Sequence, residues 1–288
     1  MNRSGGLHET LVTQGLELFA RDPDVLKPGL RQKIPLLALG TAAAGVYFAA
    51  LLALDISPSN IISGLGRLTN IAVLMFPPNP ESWARVLLYL GALGQTLAIA
   101  FIGTLLGAIL GCPFGFLAAR NVVANRLIHF LSRRSLDTVR SVDTLIWALI
   151  WINVVGLGPF AGALAIMSSD LGAYGKLFSE AIEAADRKPV DGVLSAGGSR
   201  LHAIRFGMLP QVLPVFASQI LYFFESNTRS ATIIGIVGAG GIGLQLFEQI
   251  RVLEWQQVSF LILMVLITVA AIDWTSQRLR TAIIGQRA

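Results

Sequence analysis

The sequence predicts an all-α, polytopic membrane protein of about six transmembrane helices. Three observations carry that expectation. Of 288 residues, 54% are hydrophobic and only 14% charged, with a mean hydropathy of +0.66; soluble domains usually carry about 25% charged residues. The charges cluster and leave uncharged runs at Pro35 to Leu54, Val86 to Ala119 and, shorter, Val258 to Ile272. A helix needs roughly 20 apolar residues to cross a bilayer core, and a soluble enzyme with runs of this length would be insoluble before assembly. Finally, spans at about 35–54, 86–110, 141–156, 160–175, 212–237 and 257–274 sort the basic residues by side. One side gathers Arg3, Arg21, Lys27, Arg31 and Lys33, then Arg120, Arg126, Arg133, Arg134 and Arg140. It also takes Lys176, Arg187, Lys188, Arg200 and Arg205, and finally Arg278, Arg280 and Arg287. The other side has Arg67, Arg85 and Arg251. This positive-inside bias predicts both termini in the cytoplasm. The net charge of +5 is therefore topology, and no nucleic-acid partner is expected.

Residues 1–34 are a mixed polar segment. The first apolar run begins too late, and is too badly flanked, for a cleaved signal peptide, so this segment is expected to remain as a cytoplasmic tail. Residues 35–85 hold the first transmembrane helix and an outer interfacial segment. Asp55, Pro58, Asn60 and Arg67 break the apolar pattern there. Ile61, Ile62, Leu65 and Leu68 fall near helical spacing, which suits a short interfacial helix. Pro77, Pro78 and Pro80 force an extended turn into the second span. Residues 86–280 form the core. Gly103, Gly107 and Gly111 recur every fourth residue, a small-residue face that favours close helix packing more than a dedicated dimer seam. Cys112 is the only cysteine; it excludes an intramolecular disulfide and multi-cysteine metal sites, and reads as a small buried hydrophobe. Gly156-Leu157-Gly158-Pro159 is expected to be a tight turn at the outer face. Trp147 and Trp151, one turn apart, are expected on a lipid or partner surface.

Between about residues 179 and 210 the pattern becomes that of surface helices. Glu180, Glu183, Asp186 and Arg187 interleave with Ile182, Ala184 and Ala185, and Pro189 is expected to break the run. A second helix is expected from Val190, with Asp191 in its first turn at the positive end of the dipole. Gly197 and Gly198 interrupt it. Leu201, Ile204 and Met208 follow at i, i+3 and i+7 on one face, and Leu209-Pro210 closes the segment. Two short helices with a glycine bend should thus protrude into the cytoplasm.

This frame resembles the EAA loop of bacterial ABC-importer permeases, in which Glu-Ala-Ala precedes Gly by three residues and Ile-any-Leu-Pro by nine more. The literal Glu183-Ala184-Ala185 fails, because Pro189 stands where Gly is needed. Asp191-Gly192-Val193 fits the spacing, followed by Gly197 and then Gly207-Met208-Leu209-Pro210; Gly197, Leu209 and Pro210 match, Asp191 replaces Glu with its charge kept, and Gly192, Val193 and Gly207 depart from the pattern. Ser199-Arg200-Leu201, the run from Gly207 to Pro214, the run from Phe224 to Thr232, and the run from Gly235 to Gly243 resemble the phosphonate-importer branch. The resemblance is strong over about residues 190–245 and weaker over 86–175. It implies a type I ABC-importer permease fold, methionine-importer-like. It also implies a membrane-spanning subunit that moves a phosphonate or related phosphorus oxyanion across the bacterial inner membrane. The implied partners are a second permease copy in a homodimer, cytoplasmic ABC ATPase subunits, an extracytoplasmic substrate-binding protein and membrane lipid. Coupling to the ATPase would fall to Asp191, Gly192, Gly197, Leu201, Ile204, Leu209 and Pro210. The chain has no Gly-any-four-Gly-Lys-Ser/Thr loop, so no cofactor is expected on it, and ATP and Mg belong to the partner ATPase. The alternative is an ABC permease for methionine, a metal or another organic anion. A membrane-embedded enzyme lacks support: His8, His129 and His202 lie in tails or cytoplasmic stretches.

Arg229 interrupts the apolar region from Val212 to Leu246. Arginine at mid-bilayer costs about 2.5–3.5 kcal/mol on insertion scales, so it usually faces protein and has a partner. Glu225, one turn earlier, is the expected partner. Two readings stay open: a structural ion pair or a residue near the membrane edge, or a cation near the path of an anionic substrate. A planar guanidinium suits an oxyanion, and Asn227 and Ser230 could add neutral donors; on the second reading Glu225, Asn227, Arg229 and Ser230 are the expected substrate-path residues. Gly238-Ala239-Gly240-Gly241-Ile242-Gly243 satisfies a dinucleotide fingerprint by letter. The acidic residue and strand–helix–strand setting of that fingerprint are missing, so unwound backbone or close helix contact is expected instead.

Overall fold

A computed structural model describes residues 30–54, 57–123 and 125–285. The expected tail at 1–34 lies outside these up to residue 29, as do Asp55 and Arg287. The chain divides into two compact units, residues 1–70 and 71–288. The first contains α1 (Leu30–Ala53) and most of α2 (Pro58–Leu74). In α1 the apolar stretch Leu37–Ala53 is shorter than the usual span. Helix α2 forms where Ile61, Ile62, Leu65 and Leu68 are spaced for one, and all four side chains are exposed.

The regular elements among the second unit's described residues are all helical. Ser82 caps α3 (Trp83–Ala118) by accepting from the Arg85 N–H. Asn125 and Asp143 do the same for α4 (Arg126–Arg140) and α5 (Thr144–Val155), satisfying donors that every helix start leaves open. The chain turns by 86° between α4 and α5. Next come α6 (Pro159–Ala184), α7 (Arg187–Ser195) and a single turn, α8 (Arg200–His202). A π-helical stretch, Ala203–Met208, leads into α9 (Leu209–Ile234). A second π-helical stretch, Gly235–Ala239, precedes α10 (Ile242–Arg251) and α11 (Trp255–Gly285).

A helix stands at each of the six expected spans. Three stretches, Trp83–Ala118, Arg200–Ala239 and Trp255–Ala282, are long and apolar enough to cross a membrane; the bent pair α4–α5 would be a fourth if it is one span. Helix α6 is different because it is central. Protein surrounds Ala161, Ala165, Ile166, Tyr174, Phe178 and Ile182, all nearly inaccessible, so it needs small and polar residues more than an apolar lipid face.

The glycines of α3 make this burial possible. A Cβ on Gly103 would stand 2.7 Å from the Ile166 Cβ, and one on Gly107 2.7 Å from the Asp170 Cβ. Gly111 and Gly115 repeat the pattern at 2.8 Å from the Cβ atoms of Tyr174 and Phe178. Both helices advance four residues per step, so the seam is a ladder within one chain, as the packing expectation held. Aromatic rings fill the space below it, with Phe178 stacked on Phe216 at 3.9 Å and Tyr174 beside Phe223 at 4.7 Å.

Several expectations need correction. The helix of the fourth expected span does not stop at 175 but continues as α6 to Ala184, because its second half is still packed against α3 and α4. Pro189 does not break a helix; it sits in the first turn of α7, where a missing N–H costs nothing. Trp147 and Trp151 are only partly exposed. Both pack on the cluster of Ile99, Ile166 and Ile234, and the Trp151 Nε1–H donates to Ser168. The Gly156–Pro159 turn is tight as expected, and it is also pinned: the Gly158 N–H donates to the Gly238 carbonyl at 3.0 Å. Helix α11 runs past the expected end at 274, so Arg278 and Arg280 are helical and not part of a tail.

Candidate functional site

Two places hold the residues singled out from the sequence. The first is the hairpin between α6 and α9. Asp186 caps α7 by accepting from the Lys188 N–H at 3.0 Å. At the other end the Gly197 N–H donates to the Leu194 carbonyl and the Gly198 N–H to the Val193 carbonyl, both at 3.0 Å. Gly197 has φ +84°, a left-handed conformation that ends helices and suits glycine. Ser199 and His202 then form a reciprocal capping box. The chain folds back so closely that a Cβ on Gly207 would stand 2.8 Å from the Val190 Cα. Gln211, between two prolines, clamps the base: its Nε2 donates to the Gly207 and Asp186 carbonyls, and its Oε1 accepts from the Asp186 N–H.

This hairpin presents Asp191, Gly192, Gly197, Leu201 and Pro210 at the surface, with Leu201 76% exposed. Ile204 and Leu209 are half-buried and Met208 is buried. Leu201, Ile204 and Met208 therefore do not share a face, because the wider π-helical turn shifts the phase between them. The hairpin stands on a polar base. Glu183 accepts from the Arg120 N–H at 2.9 Å and pairs with Arg133 at 3.6 Å; the Asn121 Nδ2 donates to the Ile182 carbonyl at 2.8 Å. The C-terminal ends of α3 and α6 are thus joined to each other and to the middle of α4. Nearby, Lys176 donates to Asp137 at 2.9 Å and holds that carboxyl below its ordinary range.

The second place is α9. The Glu225 side chain is only 10% exposed, and two guanidinium groups reach it. The Arg229 Nη1 donates to Oε1 at 3.3 Å and the Arg280 Nη2 to Oε2 at 3.2 Å. Arg229 keeps half of its side chain exposed, while Arg280 is 22% exposed. The pair faces the end of α11, eight residues, about 12 Å, beyond Ile272 where its uncharged run stops. The Ser230 hydroxyl back-bonds to the Ser226 carbonyl at 3.5 Å. Asn227 is not a spare donor, since its Nδ2 donates to Asp170 Oδ2 at 2.6 Å and Thr104 Oγ1 at 2.8 Å.

Asp170, Thr104 and Arg280 were not singled out by the sequence reading. Asp170 carried a usable signal as an acidic residue in the middle of an expected span. Arg280 carried none, because it fell beyond the last one.

The glycine cluster closes the far end of α9. Gly238, Gly240 and Gly241 have φ of +99°, +80° and +76°. The Gly241 N–H donates to Gln95 Oε1 and the Ile242 N–H to Thr96 Oγ1, both at 2.8 Å. Helices flank it on both sides, so it is unwound backbone pinned to α3 and not a nucleotide loop.

Comparison with known proteins adds to this geometry. Residues 111–283 match the family model "Binding-protein-dependent transport system inner membrane component". The phosphite transport system permease protein PtxC of Stutzerimonas stutzeri is 35% identical over 225 residues, 77% of this chain and 80% of that protein. The phosphate-import permease protein PhnE of Mycolicibacterium smegmatis is 34% identical over 281 residues, 95% of this chain but 52% of that longer protein. Among solved structures, an inward-facing conformation of the MetNI methionine ABC transporter superposes with a TM-score of 0.63 at 18% identity, covering 70% of this chain and 99% of that one. That likeness speaks to fold alone, a type I ABC-importer permease fold. The helical architecture, the family match and the similarity to PtxC together lead to one conclusion: the chain belongs to the binding-protein-dependent transport system inner membrane components, as a membrane-embedded translocation subunit and not an enzyme.

Proposed function

We propose that this subunit carries a phosphorus oxyanion, of the phosphite, phosphonate or phosphate class, inward across the bacterial inner membrane. The relatives named for phosphite and phosphate import support that class. The observation that carries the reading is Arg229. It is a half-exposed guanidinium on α9, and its carboxylate partner is shared with Arg280. An oxyanion needs fixed donors along its path, and guanidinium offers them in a planar fork. A long single contact to Glu225 is weak enough to be exchanged, which suits passage better than tight retention.

Two copies of the chain would enclose the path, with Arg229 facing it and lipid around the outer helices. A binding protein would deliver substrate from outside. The hairpin carrying Asp191, Gly192, Gly197, Leu201, Ile204, Leu209 and Pro210 would enter the cytoplasmic ATPase, which supplies ATP and Mg. Leu201 gives that contact an apolar anchor.

The test is uptake of phosphite by the importer reconstituted with its ATPase and binding protein. Arg229→Lys should retain part of the uptake and Arg229→Gln should abolish it, with normal amounts of protein in the membrane. Gly197→Pro should leave ATP hydrolysis running without uptake. Normal uptake by Arg229→Gln would make the arginine structural only, and normal uptake by Gly197→Pro would remove the hairpin from coupling.

A further inference from the structure

We propose that Arg280 is a positioning residue for anion passage: by holding Glu225 from α11, it leaves Arg229 free to change partners. This rests on the role given to Arg229 above. The three groups form a line in which one carboxylate serves two cations. One positive charge is left uncompensated among them, and exposure says which. Arg280 is tucked in, its guanidinium 5.9 Å from the Tyr222 ring centroid as well as on Glu225. Arg229 has half its side chain exposed. Asp273, the next acidic residue along α11, is engaged by Gln277 at 2.9 Å and stands seven residues from Arg280.

The consequence concerns what happens when Arg229 turns toward an anion. Glu225 is nearly buried, and a buried carboxylate without a cation is costly. With Arg280 in place, Glu225 keeps one guanidinium while Arg229 moves. Without Arg280, every departure of Arg229 strands the carboxylate, so the local site becomes a neutral pair that resists exchange. The sequence hides this arrangement because the two arginines are 51 positions apart and belong to different helices.

The test is phosphite uptake by the reconstituted importer, with the amount of permease in the membrane measured in parallel. Losing one charge-assisted partner for Glu225 should lower uptake by about tenfold or more in Arg280→Gln. Arg280→Lys should keep most of it. The decisive arm is Glu225→Gln/Arg280→Gln, which removes the carboxylate that would trap Arg229. This double variant should assemble even where Arg280→Gln does not, and should recover uptake. Failure of the double variant to recover while present in the membrane, full uptake in Arg280→Gln, or equal loss in Arg280→Lys and Arg280→Gln would each overturn the proposal. Arg229→Gln serves as the separate arm: if it transports normally, the reading of Arg229 fails, whatever the Arg280 variants do.

Discussion

Asn227 gives both hydrogens of its amide to other helices, to Asp170 on α6 and Thr104 on α3. All three side chains are buried. Three helices are thereby held in one register by one side chain, and the arrangement is worth keeping only while every member is satisfied. Asn227→Leu should strand Asp170 and Thr104 and cost about 1–3 kcal/mol. Purified protein should melt earlier, and adding Asp170→Leu should recover most of the loss, since removing both partners costs less than removing one. An Asn227→Leu protein that melts with the wild type would show that the contact carries no stability. The sequence marked Asn227 as a polar residue in an apolar span. It could not say that the amide was already committed, because its partners lie 57 and 123 positions away.

At the scale of elements, α3 and α6 are held by shape. Gly103, Gly107, Gly111 and Gly115 each receive a Cβ from the facing helix, so the axes approach as closely as backbone allows. Gly111→Val should overpack that seam and destabilise by about 1–3 kcal/mol. Gly91→Ala, on the same helix where a Cβ meets nothing within 4 Å, should be neutral or slightly stabilising through helix propensity. Thermal melting of the two variants in detergent distinguishes them; equal melting points would remove the seam from the stability of the fold. Four-residue spacing made three of these glycines legible, but their mate was not. The hairpin shows the complementary limit. The glycine at 197 was readable as a bend, while the π-helical stretch that turns Leu201 outward and Met208 inward has no local sequence signature.

For the whole molecule, the sorting of Lys and Arg predicts that the α7 hairpin and the α10–α11 turn lie on opposite sides of the membrane. In a Cys112→Ala background, Val252→Cys should react with a membrane-impermeant maleimide added outside intact cells, and Ser195→Cys should react only after the membrane is opened. Both positions are exposed. Outside labelling of position 195 and not 252 would invert the topology. What the sequence by itself determined is the solvent each segment requires: where apolar helices stand, where polar loops emerge, and which segment has the spacing of a coupling loop. These follow from local composition and period, which a chain carries before it folds. What only the tertiary structure decided is partnership. Glu225 with Arg280, Asn227 with Asp170, and the glycine cluster with Gln95 and Thr96 join residues far apart in the chain. A buried polar group must be satisfied by whatever the packing brings near, and packing is set by all the helices at once.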